Sequence, residues 1–190
     1  MTTRNGERGN GDAARIEPAV HAISQESRRA APVAQHLQRQ LANGFVLYAN
    51  FKRYQWQANG PLARDLHALF DALGAEVLAM LDPLAERLRR IGQDPVAAPD
   101  EVLGKAGVVP APVSLTPREM IEQAQAHAAL VIREMRDAVR VAADDDDPRT
   151  ADLLARLVQV HEKHEWWLRD LLERGDRLLG GGGSSRAGRT

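Results

Sequence analysis

The chain has 190 residues, of which 44% are hydrophobic and only 4% aromatic, and its formal net charge is −1. This composition predicts one domain with a core of Leu, Ala and Val, and it favours helices over a β-sandwich. The absence of cysteine excludes disulfides, iron–sulfur clusters and thiolate zinc sites. The small net charge gives no global attraction to nucleic acid. No apolar run is long enough for a membrane helix or resembles a signal core, so a cytoplasmic location is expected.

The two ends of the chain differ in composition from its middle. Residues 1–28 are rich in Gly, Asn, Arg and Ser, and residues 180–190 are rich in Gly, Ser and Arg, so both are interpreted as flexible tails. Residues 29–179 are interpreted as the folded domain. Within it, apolar residues at helical spacing predict helix A over about 30–58 and helix B over about 61–91, separated by an Asn-Gly-Pro break.

The second half of the domain begins with a long connection. Segment 92–115 contains four prolines and three glycines and predicts a crossover with a short helix near 100–105. Thr116, followed by a proline, is a typical N-cap for helix C over about 117–143. An acidic turn then leads into helix D over about 148–179. Four long helices with one long B–C crossover predict an all-α, ferritin-like four-helix bundle.

Helix B carries four side chains that are typical metal ligands: His67, Asp71, Asp82 and Glu86. At about 100° per residue, all four project within a sector of roughly 100° and therefore share one face. Along the helix axis, however, Asp71 and Asp82 are about 16 Å apart, which is too far for one metal ion. The spacing therefore predicts two half-sites in each chain.

A two-fold axis would complete both half-sites. The midpoint of the two pairs lies between Glu76 and Val77, where Gly74 and Ala75 would let two antiparallel copies of helix B approach closely. One His with three carboxylates is an oxygen-rich ligand set that suits iron or manganese better than structural zinc. The alternative interpretation remains open at this point, because pairs at i,i+4 spacing are also common on solvated helix faces.

Three segments resemble one known family, the Dps proteins, which are ferritin-like DNA-binding proteins from starved cells. The segments are "FKRYQWQANGPLARDLHALFD", "LDPLAERL" and "TADLLARLVQVHEKHEWWLRDLL", and the resemblance spans about residues 33–178. The family pattern has His-Trp, Gly, His-x3-Asp and Asp-x3-Glu at fixed spacings. The matching residues here are Trp56, Gly60, His67, Asp71, Asp82 and Glu86.

The resemblance implies a hollow dodecamer built from two-fold dimers, in which Fe(II) is oxidised at sites between subunits, often by hydrogen peroxide. It implies that iron is both bound and stored as ferric mineral, and that the cell and its DNA are protected from oxidative stress. Asp144, Asp145, Asp146 and Asp147 are expected near a three-fold pore, with a solvated acidic loop as the alternative interpretation. Trp56 is expected near the site, and core packing is expected to account for Trp56, Trp166 and Trp167.

The sequence departs from the family pattern at two positions of the site. Gln55 stands where the family usually has its first His ligand, and Pro83 lies inside helix B, where it is expected to kink the helix unless neighbours compensate. His161 and His164 of helix D are candidates to supplement the ligands, although a structural role for them is the favoured interpretation. Gln55 itself is a candidate for a weak ligand.

Three functional hypotheses follow from these observations. The first is a ferroxidase and iron-storage cage. The second is a DNA-binding cage whose oxidation is weak or lost through Gln55, and the third is a helical bundle with a different metal. Weak DNA contacts would come from the tails, where acidic residues nearly cancel the basic ones at the N-terminus. The tail arginines concerned are Arg4, Arg8, Arg15, Arg28, Arg29, Arg186 and Arg189.

Overall fold

The computed structural model describes residues 31–174, and this range contains five α-helices and no strand. The helices are α1 (Ala31–Gln57), α2 (Ala63–Arg90), α3 (Pro99–Lys105), α4 (Pro117–Asp144) and α5 (Pro148–Arg174). The predicted four-helix bundle with a short helix in its crossover is confirmed. Helix boundaries within this range differ from the predicted ones by at most two residues, as is usual for fraying ends. The predicted start of helix A near 30 and the predicted end of helix D near 179 lie outside the described residues. The two tails, with the DNA-contact prediction that depends on them, lie outside the described residues.

Local sequence signals explain where the helices begin and end. Gly60 has φ of 80°, a left-handed conformation that only glycine adopts freely, and it turns the chain between α1 and α2. At the start of α4, the Thr116 side chain accepts a hydrogen bond from the Glu119 backbone N–H while Glu119 accepts one from the Thr116 backbone. This capping box, with Pro117 in the first turn, confirms the predicted start of the helix. None of the described helices is long and apolar enough to cross a membrane.

The long helices α1 and α2 approach each other closely. A Cβ on Gly44 would lie 2.6 Å from Cδ2 of Leu81, so any larger residue would displace the end of that leucine side chain. Phe51, Tyr54 and Phe70 form a buried aromatic cluster between the two helices, with ring centroids 5.2–6.3 Å apart. Gly74 also faces α1, since its Cβ would contact Phe51. Gly74 therefore lets α1 approach α2 within the chain, whereas Ala75 is exposed beside the predicted crossing point.

The crossover between α2 and α4 runs along α1 and is held there by polar side chains. Six side chains of α1 bond to crossover backbone groups in matching order along the two segments. The pairs are Gln38 with Asp94 and Val96, Arg39 with Lys105, Asn43 with Gly107 and Val108, Asn50 with Val109 and Ala111, Arg53 with Ala111, and Gln57 with Val113. Because the crossover has little secondary structure of its own, these side chains satisfy its backbone.

Asn43 is the most buried of these side chains and has no exposed surface. Its Oδ1 accepts hydrogen bonds from the N–H groups of Gly107 at 2.7 Å and Val108 at 3.1 Å, while its Nδ2 donates to Glu134 Oε2 at 2.8 Å. Glu134 also pairs with Arg39 at 2.6 Å. Burial alone would raise the pKa of Glu134, but the Arg39 and Asn43 hydrogen bonds lower it below its usual value. Asn43 therefore joins α1, the crossover and α4.

The acidic turn between α4 and α5 contains one residue with a structural role. Arg87 of α2 donates from Nη2 to both carboxylate oxygens of Asp147 at 2.7 Å, and Asp147 also accepts from the Thr150 backbone N–H at 3.0 Å. Burial opposes ionisation, yet Arg87 and Thr150 lower the pKa of Asp147 below 3.8. The contact ties α2 to the start of α5, where a carboxylate also favours the helix N-terminus.

Pro83 does not interrupt α2, which is continuous from Ala63 to Arg90. Pro83 cannot donate the hydrogen bond that the carbonyl of Ala79 would otherwise accept. Both residues are exposed, so water can satisfy that carbonyl, and packing of the opposite face maintains the helix.

Replacing Asn43 with Ala is expected to lower the free energy of unfolding by about 3 kcal/mol, because two backbone N–H groups and a carboxylate oxygen lose a buried partner. Urea unfolding measures the loss, and hydrogen exchange should accelerate at Gly107 and Val108. The control is Gln38→Ala, whose contacts are closer to solvent and which should cost less than about 1 kcal/mol. Equal losses of unfolding free energy in the two variants would contradict the conclusion that the buried contacts of Asn43 contribute more than those of Gln38.

Replacing Asp147 with Asn is expected to cost about 1–3 kcal/mol, because a largely buried two-pronged bond to Arg87 is lost. Since the folded-state pKa of Asp147 is lowered, its contribution is complete above the unfolded value of 3.8 and is lost as pH falls through the lower folded value. Thermal unfolding of both proteins should therefore differ at pH 7 and converge in strong acid. A constant difference down to pH 2 would contradict this assignment.

Candidate metal site

The four predicted ligands of helix B lie on the outward face of α2. His67, Asp71, Asp82 and Glu86 are all exposed, whereas the opposite face of the helix is buried in the bundle. Between the two pairs the outward face is apolar and mostly small. Its exposed residues are Ala72, Ala75, Leu78 and Ala79. The outward face therefore carries a metal-type pair at each end and a short apolar seam at its centre.

His67 is oriented by Gln55 of α1, the position at which the sequence departs from the family pattern. Nδ1 of His67 lies 3.2 Å from the backbone oxygen of Gln55, and Nε2 lies 3.1 Å from the side-chain Nε2 of Gln55. A carbonyl can only accept, so Nδ1 carries the proton and Nε2 presents its lone pair to the Gln55 amide. In this tautomer, Nε2 is the ring nitrogen that is able to bind a metal ion.

Asp71 lies one turn from His67 and is held in its ionised form. The ammonium of Lys52 lies 3.1 Å from Oδ1 of Asp71. This hydrogen bond and the charge of Lys52 lower the pKa of Asp71, with smaller contributions from the Gln55 amide and His67. The position of Lys52 had no signal in the sequence, because the contact joins two helices and depends on their relative rotation.

The second pair is more open. Oε2 of Glu86 pairs with Arg90 at 3.1 Å in an exposed i,i+4 contact, which is a weak interaction. Asp82 makes no hydrogen bond or ion pair with any residue in the range 31–174. Both carboxylates are therefore available to a cation without the loss of a strong structural contact.

A single chain does not complete either site. Within residues 31–174, no group of three or more His, Asp or Glu side chains lies close enough together to hold a metal ion. The His67/Asp71 and Asp82/Glu86 pairs are instead symmetric about the point between Glu76 and Val77. Ala75 and Leu78 flank that point at equal distances along the helix, and both are exposed. The outward face is thus self-complementary in the sense that a two-fold contact requires.

The histidines of α5 have a different position from that needed to supplement His67. His161 and His164 are buried and contact each other with ring centroids 5.6 Å apart. Nε2 of His164 lies 2.9 Å from Oε2 of Glu76, which also accepts from Lys163. Burial lowers the pKa of His161 to about 3. Glu76 is about 14 Å along α2 from His67, so these contacts support the structural role for both histidines.

The tryptophan predictions were only partly correct. Trp56 and Trp166 are 74% and 56% exposed, so the expectation that core packing accounts for them is wrong. Each lies off the buried stripe of its helix, which on α1 includes Phe51 and Tyr54. Trp167 does pack against the core, with the Lys163 ammonium 5.1 Å from its ring centroid. Trp56 directly follows Gln55, and so lies next to the site along the chain.

The acidic turn divides into two parts. Asp144, Asp145 and Asp146 are exposed, whereas the Asp147 carboxylate is engaged by Arg87 and Thr150. Only the first three carboxylates are free to attract cations, and the assignment of the turn to a pore remains a prediction.

Comparison with known proteins agrees with the ferritin-like bundle. The family model for Ferritin, described as a ferritin-like domain, matches residues 34–178. The "DNA protection during starvation protein" of Brevibacillus brevis is 36% identical over 141 residues, which cover 74% of this chain and 95% of that protein. "DNA protection during starvation protein 1" of Deinococcus radiodurans is 30% identical over 155 residues, with 78% and 72% coverage.

Solved structures are similar over the same helices. Dps from Thermosynechococcus elongatus is 44% identical with a TM-score of 0.77, and the alignment covers 82% of this chain and 99% of that one. The Vibrio cholerae Dps protein is 25% identical with a TM-score of 0.74 and coverage of 77% and 92%. It is described as a member of a superfamily of ferritin-like diiron-carboxylate proteins. The ferritin-like bundle, the outward ligand pairs and these similarities lead to one conclusion: the chain belongs to the Dps family of ferritin-like proteins.

Proposed function

We propose that this chain is a subunit of a cytoplasmic ferroxidase cage that binds Fe(II) between subunits, oxidises it and stores the ferric product. One observation carries the proposal: two ligand pairs lie at equal distances from the centre of an exposed, apolar helix face. A single chain leaves both pairs incomplete, and a second copy related by a two-fold axis completes both at once. A solvated face would need neither this symmetry nor the apolar centre.

The proposed contact is an antiparallel crossing of two α2 helices near Glu76 and Val77. Leu78 of each chain would then pack near Ala75 of the other, and the small side chains of the seam allow close approach. His67 and Asp71 of one chain would face Asp82 and Glu86 of a second copy at each end of the crossing. By resemblance to the family, six such dimers would assemble into the hollow dodecamer.

The ligand set suits the chemistry of iron oxidation. One imidazole nitrogen and several carboxylates are hard ligands that bind Fe(II) and stabilise Fe(III) more strongly, because the added positive charge is balanced by the carboxylates. Each Fe(II) releases one electron, so two Fe(II) reduce one hydrogen peroxide to two hydroxide ions. This consumes peroxide without releasing a radical, and so accounts for protection of DNA without direct contact.

Lys52 has a defined part in this scheme. Its ammonium lies 3.1 Å from the Asp71 carboxylate and balances its charge. An arriving cation would replace that charge and leave the long Lys side chain free to move to solvent. Lys52 would therefore be exchanged for the cation as the partner of Asp71.

A mixing experiment tests the shared site. Chains carrying His67→Ala and chains carrying Glu86→Ala should each lose Fe(II) binding, because every site in either homodimer contains one change. In a one-to-one mixture, about half of the dimers contain both variants, and each of these has one intact site. Anaerobic Fe(II) titration should therefore recover about a quarter of the wild-type sites.

The contrasting result is also clear. If the mixture binds no more iron than the separate variants, the two pairs do not meet across an interface. Size-exclusion chromatography of each variant provides the control, since all of them should assemble like the wild-type protein.

The acidic turn generates a second prediction. Replacing Asp144, Asp145 and Asp146 with Asn should slow oxidation at limiting Fe(II), because the exposed carboxylates would no longer concentrate cations at the entrance. Asp147 is left unchanged so that α5 keeps its contact with Arg87. Stopped-flow absorbance measures the initial rate, and the slowing should disappear at saturating Fe(II). Unchanged rates at limiting Fe(II) would exclude this turn as the main entry path.

A further inference from the structure

Gln55 is placed for a more specific role than that of an absent histidine. Its side chain is only 6% exposed, and its Nε2 lies 3.1 Å from Nε2 of His67. The same amide also contributes to the lowered pKa of the nearby Asp71 carboxylate. The Gln55 amide therefore contacts one of the ligands that this chain contributes to the site and lies close to the other.

The other end of this amide is unsatisfied. Oε1 of Gln55 is buried and has no hydrogen-bond partner among the described residues. A buried carbonyl oxygen without a partner costs free energy, so the orientation needs a compensating gain. The gain is on the opposite side, where the amide nitrogen lies 3.1 Å from the lone pair of His67 Nε2 and close to the charge of Asp71. The amide nitrogen thus lies next to the place where a cation would bind.

A cation bound to His67 and Asp71 reverses this preference. Amide N–H hydrogens facing a divalent ion are repelled by it, whereas the carbonyl oxygen is attracted as a neutral ligand. The two ends of a glutamine amide are almost equal in size, so a half-turn about the last side-chain torsion exchanges them without moving the helix. After the turn, Oε1 lies toward the cation, and the NH₂ group occupies the buried position that Oε1 held.

We propose that Gln55 is a metal ligand that turns its amide when a cation binds, and that its oxygen biases the site toward Fe(II) and Mn(II) and against Zn(II). The inference rests on the proposed function, since it assigns a metal preference to that same site. An imidazole nitrogen at this position would favour Zn(II) and other late divalent ions, which bind nitrogen more strongly. An amide oxygen lowers that preference while the two-chain carboxylates keep the affinity for hard ions.

Gln55 also orients the histidine of the site. The backbone oxygen and the side chain of Gln55 together hold His67 in the tautomer whose Nε2 is free to bind a cation. The residue orients the His ligand before the metal arrives and becomes a ligand afterwards. Leucine at this position would neither orient His67 nor bind a metal ion, whereas histidine would bind metal ions with a different order of preference.

Anaerobic calorimetric titrations with Mn(II) and with Zn(II) test the inference on the assembled protein. Gln55→Leu should weaken Mn(II) binding at least about tenfold, because leucine is similar in size to glutamine but has no oxygen that can bind the ion. Gln55→His should raise the ratio of Zn(II) to Mn(II) affinity by about tenfold or more. Gln57→Leu is the matched control, because Gln57 lies on the same helix but bonds only to the Val113 backbone oxygen, and it should leave both affinities unchanged.

The outcomes separate this inference from the proposed function. If the wild-type protein binds Mn(II) and His67→Ala does not, but Gln55→Leu binds it like the wild type, Gln55 is not a ligand and the inference fails alone. If Gln55→His leaves the Zn(II)/Mn(II) ratio unchanged, the selectivity assignment is overturned. If the wild-type protein binds neither ion at sites that depend on His67, the proposed function itself fails. Gln55→Asn, whose amide is too short to reach, gives a second variant should the Leu protein not assemble, and it should show the same loss.

Discussion

The fold depends on one requirement: the polar backbone of the crossover must find hydrogen-bond partners where it lies against the bundle. Helix α1 meets this requirement with amide and guanidinium side chains that follow the crossover along its length. Asn43 and Asn50 do so from fully buried positions. Since an unsatisfied buried amide costs about 1–3 kcal/mol, several such contacts rival the net stability of a domain. The side of α1 that faces the crossover therefore has a structural role.

The structural role of this side of α1 determines which surface remains available for a functional site. Helix α1 is covered by the crossover on one side and packs closely against α2 on another, through Gly44 and the aromatic cluster around Phe51. The bundle covers the inner face of α2, whereas its outer face is a long surface that no element within residues 31–174 covers. The end of α1 still contributes to that surface, because Lys52 and Gln55 extend from its last turns to Asp71 and His67. The metal-type residues are thus assembled where two helices meet at an uncovered face.

Much of this was predictable, and the remainder has a common cause. Periodicity locates the helices, capping residues locate their starts, and the angle of about 100° per residue places His67 and Glu86 on one face. These signals are all local to one helix. The contact of Gln55 with His67 and that of Asp147 with Arg87 depend on how one helix is rotated against another, which local spacing does not specify. Trp56 is the opposite case. Its position off the buried stripe of α1 follows from the local spacing, but the usual preference of tryptophan for buried positions predicted core packing instead.

The division of the ligands into two pairs has a consequence for the timing of the chemistry. An isolated chain has half of each site, so on the proposed assembly its activity would rise with the square of its concentration while dimers are scarce. A newly synthesised subunit would not produce ferric iron before it has paired with a second copy. One defective subunit would disable sites on both sides of its contact, so a minority of damaged chains would lower the yield disproportionately. The placement of the ligands on one helix face would therefore make activity depend on two intact subunits.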